Sequence, residues 1–133
     1  MKNVSGNDYK FNSLGCTSAN GADQTLKAQL NLTPIMECQD GYVYTARVGR
    51  FRPNAWSLYD MLGNVVEWTC SEYDKDYGGT EQRCVSDKKP SKVFNVLRGG
   101  SWYVDPTWVR GAARFFWPPR GRDFGWGFRL ARD

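Results

Sequence analysis

Apolar residues along this 133-residue chain come in short bursts separated by Gly, Asn, Ser and Pro, with no long periodic stretch. Residues 1–23 are rich in Asn, Ser and Gly, with brief apolar interruptions at Phe11, Leu14 and Cys16, and read as loop. In residues 24–32, QTLKAQLNL, Leu26 and Leu30 stand four apart, the spacing of one helical face, and Pro34 would stop the helix. Asp40-Gly41 starts a turn, after which Tyr42, Val43, Tyr44 and Thr45 have the aromatic and β-branched character of a short strand. Residues 53–68, PNAWSLYDMLGNVVEW, predict a single helical turn entering a strand, because Trp56, Tyr59, Leu62 and Val66 keep helical spacing until Gly63-Asn64 interrupts them. Residues 71–92 are polar and charged and read as a long surface excursion.

The last forty residues predict strands over Val93–Arg98, Ser101–Val104 and Trp108–Phe116, with Gly99-Gly100 as a turn. After PPRGRD, the strict alternation of Phe124, Trp126, Phe128 and Leu130 marks a closing strand with apolar residues on one face. There is no heptad, repeat or low-complexity tract. The pattern predicts a single loop-rich α+β or mostly β domain over residues 1–133, long enough to bury roughly two-thirds of its unfolded surface.

Composition narrows the chemistry. The chain contains no histidine, which removes Ser-His-Asp triads, Cys-His pairs, His-ligated zinc and imidazole-held iron. Cys16, Cys38, Cys70 and Cys84 lack any C-x-x-C spacing, so a zinc knuckle or thioredoxin-like site is not expected. They suit either two disulfides, Cys16–Cys38 and Cys70–Cys84 if pairing is local, or four buried thiols. Disulfides would place the protein in an oxidising compartment, exported or at the cell surface. No apolar run approaches the roughly 20 residues of a membrane span, and the start, MKNVSGNDYK, has no signal-peptide core.

The net charge of +4 is concentrated late, at Arg98, Arg110, Arg114, Arg120, Arg122, Arg129 and Arg132. These arginines are interleaved with strand-like apolar residues rather than grouped in a block, so they suit internal bonding to carboxylates and carbonyls better than nucleic acid. Aromatic residues make up 15% of the chain, enough to serve both a core and a binding surface.

Three ordered stretches, DGYVYTARVGRFRPNAWSLYDMLGNVVEW, VLRGGSW and GFRLARD, resemble the formylglycine-generating-enzyme-like, or sulfatase-modifying-factor, family, and SANGADQT resembles that family's Ala-Asn-x-Ala-Asp segment. The resemblance covers residues 14–133. It implies a C-type-lectin-like fold of the formylglycine-generating-enzyme type, with short antiparallel strands and little helix. The helix-containing N-terminal half usual in the family has no counterpart here, which implies either a fragment or a minimal version in which residues 1–13 replace that half.

The resemblance also assigns roles. Oxidase members bind copper through two cysteines after the Gly-Gly-Ser motif, at positions that here are Val104 and Val109. Valine offers no thiolate, so copper is not expected. The family's iron-dependent branch needs histidines that are absent. Two structural Ca²⁺ sites match Asn20, Gly21, Asp40 and Tyr42, and Asp60, Gly63, Val65 and Glu67, with Gly63 and Val65 contributing carbonyls; the alternative is that Asp60 and Glu67 accept hydrogen bonds from loop amides or arginine.

Between framework residues Gly99–Trp102, Arg110, Arg114 and Gly127–Arg129 lie Tyr103, Asp105, Thr107, Trp108, Phe115, Phe116, Trp117, Arg120, Arg122, Asp123, Phe124 and Trp126. Such positions form the exposed ligand surface of lectin-fold display proteins, including the variable proteins of diversity-generating retroelements. A Phe-Phe-Trp triplet followed by Pro-Pro cannot place every ring in a half-buried strand. The sequence therefore predicts a non-catalytic domain that binds a protein or small molecule through residues 103–126. The alternatives are a relative of the copper-dependent oxidase and a subunit of a larger assembly.

Overall fold

The computed structural model describes residues 15–84 and 93–130. Four strands, β1 (Val66–Glu72), β2 (Asn95–Arg98), β3 (Phe115–Trp117) and β4 (Trp126–Gly127), form one sheet in the order β3-β2-β1-β4. β2 pairs antiparallel with β1 and with β3, whereas β4 runs parallel to β1, with Val66 opposite Trp126. The sheet is thus mixed rather than purely antiparallel. Among the described residues helix is confined to α1 (Gly15–Ser18) and α2 (Gln24–Leu30), with 3-10 turns at Thr80–Gln82 and Pro106–Trp108. The loop-rich expectation of short strands and little helix holds.

Several local readings are corrected. Residues 15–18 are helical rather than loop. Helix α2 forms where its leucine spacing places it, but Asn31, in a left-handed conformation at φ 51°, ends it before Pro34 is reached. Its first turn is capped by Asp23, whose carboxylate accepts from the Leu26 amide at 3.0 Å.

Residues 42–45 form no strand. Their bonds go to side chains instead: Asn20 Nδ2 donates to the Tyr44 carbonyl at 2.8 Å, the Tyr42 amide donates to the Asp40 carboxylate at 2.8 Å, and just beyond them the Ala46 amide donates to Asn64 Oδ1 at 2.8 Å. The predicted turn after Pro53 is organised by Asn54, whose Oδ1 accepts from the amides of Trp56 and Leu58, and the strand then starts at Val66. The excursion after residue 70 still contains the end of β1 and a 3-10 turn; readings at residues 1–14 and 85–92 lie outside the described residues.

Near the C-terminus, Ser101–Val104 is not a strand, and only residues 115–117 of the strand predicted over 108–116 exist. Asp105 caps a turn opened by Pro106, and Arg98 Nη1 donates to the carbonyls of Gly111 and Ala113, where a strand partner would otherwise stand. The closing strand shrinks to two residues. Phe124, Phe128 and Leu130 are 74%, 73% and 89% exposed, so the alternating apolar face looks outward instead of into the core.

The core is built on Ala22, Leu26 and Trp102, with Val43 and Tyr103 packed against it. Buried Asn20 and Asn64 join loops around it: Asn20 Nδ2 donates to Asn64 Oδ1, Asn64 Nδ2 donates to the Ala46 carbonyl, and the Trp102 amide donates to the Asn64 carbonyl. Disulfides Cys16–Cys38 and Cys70–Cys84 add two covalent clamps, the local pairing the sequence suggested.

Candidate ligand-binding face

β2, β3 and the start of β4 leave one depression of about 560 Å³, lined by Phe94, Leu97, Trp108, Arg114, Phe115, Phe116, Trp117, Pro118 and Trp126. Its rings hold one another. Trp117 meets Trp126 edge-on at 5.4 Å, Trp126 meets Trp68 at 5.5 Å, and Trp108 leans on Phe115 at 5.1 Å. Phe116 stacks on Tyr73 at 4.2 Å with Phe94 against it at 5.4 Å. Gly121 has no side chain because a Cβ there would strike the Trp117 ring. Trp108, Phe116 and Trp117 remain 43%, 45% and 50% exposed, which bears out the expectation that the triplet could not be wholly buried.

The one charged group in the lining, Arg114, is fixed from behind. Its guanidinium lies 3.6 Å from the Tyr77 ring centroid, and Nη1 donates to the Asp74 carbonyl at 2.6 Å.

Of the predicted surface residues, Trp108, Phe115, Phe116, Trp117 and Trp126 meet in this groove. Tyr103, Asp123 and Phe124 form a separate cluster. There the Tyr103 ring packs on Trp102 and Phe124, and its hydroxyl donates to Asp123 Oδ1 at 2.7 Å. Burial, and then the Asp123 carboxylate, push the Tyr103 hydroxyl pKa up to about 12. Asp105 and Thr107 serve as a turn cap, and Arg120 and Arg122 stand exposed on the turn after β3. Sequence reasoning missed Phe94, Leu97 and the backing rings Trp68, Tyr73 and Tyr77; only the strand prediction over 93–98 pointed toward the first two.

Of Val104 and Val109, the second has a packing role. Val109 is fully buried, and its side chain fills the space where Gly100 has no Cβ. All four cysteines are in disulfides, leaving no free thiol.

Residues 4–133 match the sulfatase-modifying factor enzyme 1-like domain. The chain belongs to this family. It is 34% identical over 101 residues to the formylglycine-generating enzyme of Thermomonospora curvata, an alignment covering 71% of this chain and 33% of the relative. The chain thus spans about a third of that enzyme's length. Among solved structures it resembles PvdO from Pseudomonas aeruginosa, at a TM-score of 0.64 and 27% identity over 85% of this chain and 38% of that one. Treponema denticola variable protein 1 shares the fold at a TM-score of 0.55 and 21% identity, over 84% of this chain and 34% of that one.

The two calcium sets expected of this sulfatase-modifying-factor domain differ in their fit. In the first, Asn20 is fully buried and its Nδ2 is committed to Tyr44 and Asn64, which fixes the amide and leaves Oδ1 without a donor among the described residues. Asp40 accepts from the amides of Gly21 and Tyr42, and it lines a cleft of about 430 Å³. Burial above all, with Asp23 nearby, raises its pKa to about 6. Each of these two oxygen groups is of the kind a hard cation takes.

In the second set, Asp60 Oδ1 is also buried without a partner, but both Glu67 oxygens are held by Arg129, at 2.5 and 2.7 Å. That arrangement satisfies Glu67 without an ion, as the arginine alternative anticipated. Gly63 sits at φ 72° with its Cα against the Asn20 backbone, and Val65 packs on Gly127. Among the described residues no three carboxylate or thiolate side chains converge, so an ion here would rely on amide and carbonyl oxygens. Arg98, Arg114 and Arg129 all donate to main-chain carbonyls, as expected of internal struts.

Proposed function

We propose that this domain is a non-catalytic binding module whose ligand, a protein or small molecule, seats in the groove between β3 and β4. The observation that carries this is the set of half-exposed rings around an open depression of about 560 Å³. Rigid aromatic walls with one fixed arginine are the composition of interface hot spots. Catalysis by the family's copper route lacks support, since Val104 and Val109 replace the thiolates and the four cysteines are cross-linked.

The test is a peptide array probed with the wild-type chain and with Trp117→Ala, which removes a half-exposed ring and should leave the melting temperature within a few degrees. Ligand capture that depends on Trp117 supports the reading; capture unaffected by the substitution overturns it. Turnover of a cysteine-containing peptide with Cu(I) would establish the oxidase alternative.

Two further elements belong to this reading. Ca²⁺ is a structural ion held at Asn20, Gly21, Asp40 and Tyr42, and a chelator should lower the melting temperature of the wild type but not of Asp40→Asn. Residues 103–126 are the display segment of a retroelement-diversified protein. Its signature would be a second, imperfect copy of the codons for residues 98–130 beside a reverse-transcriptase gene. The disulfides agree with export.

A second reading, a subunit of a larger assembly, is favoured by one observation. Trp56, Phe128 and Leu130, outside the groove, are 80%, 73% and 89% exposed.

A further inference from the structure

We propose that the groove's partner is an acidic polypeptide segment that inserts an aromatic or branched aliphatic side chain beside Trp117 and Trp126. This rests on the groove being the binding site and adds the chemistry of what fills it.

Residues 103–130 carry five arginines, at 110, 114, 120, 122 and 129, against two aspartates, at 105 and 123. Both aspartates are occupied internally: Asp105 accepts from the amide and hydroxyl of Thr107, and Asp123 accepts from the Tyr103 hydroxyl and the Gly125 amide. Arg129 is paired with Glu67. The other four arginines have no carboxylate partner among the described residues. Arg110 and Arg114 donate to the carbonyls of Thr107 and Asp74, which fixes their positions without neutralising them. Arg120 and Arg122 are exposed on and beside the turn at 118–121, which packs over Trp117. The apolar floor therefore lies in a segment with an excess of arginine over carboxylate even with both aspartates counted, the complement of a segment with an apolar anchor between carboxylates.

The anchor is apolar because ring and aliphatic surface dominates the lining, whose polar side-chain groups are all donors, the Arg114 guanidinium and the indole N–H groups of Trp108, Trp117 and Trp126, so a buried side-chain donor would lose water and meet no side-chain acceptor there. A polypeptide fits better than a nucleic acid. Trp117 and Trp126 meet at 66°, and Trp108 and Phe115 at 39°, which makes wedge-shaped slots rather than flat stacking platforms. No side-chain amide or hydroxyl lines the groove to read a base edge.

The test titrates the full chain with short labelled peptides of alternating glutamate and leucine, lysine and leucine, or glutamate and serine, and with an oligothymidylate, following tryptophan fluorescence. The glutamate–leucine peptide should bind about tenfold or more tighter than the other three probes, and Arg120→Glu with Arg122→Glu should remove that advantage while the circular dichroism stays unchanged. Three results overturn the proposal: equal binding of the lysine–leucine peptide, no effect of the charge reversal, or tighter binding of the oligothymidylate. If both leucine peptides bind equally and both depend on Trp117, only the acidic preference falls. If no binding depends on Trp117, the groove itself is not the site.

Discussion

Tyr103 shows how one residue in this chain joins core and surface. Its ring packs on Trp102, while its hydroxyl reaches Asp123 at 2.7 Å on the exposed side. Because burial and then the carboxylate raise its pKa from 10.0 to about 12, the folded state holds that proton more tightly than the unfolded chain does. The corresponding stability is fully present below pH 10 and is lost as pH rises through about 12. Ultraviolet titration should show one late-ionising tyrosine. That component should disappear in Tyr103→Phe and move toward the ordinary range in Asp123→Asn, where the burial contribution remains. Neither the contact nor the shift was legible in the sequence, since Tyr103 and Asp123 are twenty residues apart and meet only after the chain has turned through the whole groove.

The elements divide by how locally they are determined. Helix α2 was legible because a cap, a leucine pair and a stop all lie within nine residues, although the stop is Asn31 rather than Pro34. Asp23 is fully buried and accepts from Leu26, Thr25 and Asp40. Asp23→Ala should therefore cost more than the ~1 kcal/mol of an ordinary cap, because the buried Leu26 amide is left unpaired. Asn31→Gly, at φ 51°, should stabilise slightly. Chemical denaturation measures both.

Strands were less legible. Residues 42–45 have every propensity for a strand, yet the side chains of Asn20 and Asp40 bond the Tyr44 carbonyl and the Tyr42 amide, and among the described residues no strand pairs with them. The groove was legible in part: the Phe115–Trp117 triplet announced exposed rings, but the strand pairing that brings Trp126 to Trp117 crosses the sheet and leaves no trace in local pattern. The backing rings Tyr73 and Tyr77 sit in a segment whose polarity suggested only surface.

At the scale of the molecule, a loop-rich chain with two short helices and a small sheet leans on its cross-links. Loops closed between residues 22 and 14 apart predict about 3 kcal/mol for each disulfide. Against a total stability on the order of 5–15 kcal/mol, losing both is a large fraction. Reduction should lower the melting temperature sharply, and Cys70→Ser with Cys84→Ser should reproduce part of the effect.

The exposed apolar residues away from the groove bear on whether the chain is self-sufficient. Arg129 donates to Glu67, Tyr59 and Asp60, fixing the last extended segment against β1 and the loop before it. Its flanking residues Phe128 and Leu130 then face solvent, and among the described residues no backbone hydrogen bond reaches either of them. Neighbouring apolar side chains exposed to this degree mark a surface that a partner or a second copy covers. The isolated chain should accordingly self-associate at high concentration in sedimentation velocity runs. Phe128→Ser with Leu130→Ser should suppress that association while leaving Trp117-dependent peptide binding intact, because the groove and this edge then act as independent surfaces. If the double variant stays associated, Phe128 and Leu130 are not the contact; if it loses peptide binding along with association, the two surfaces are one. The assembly reading would then have to include the groove.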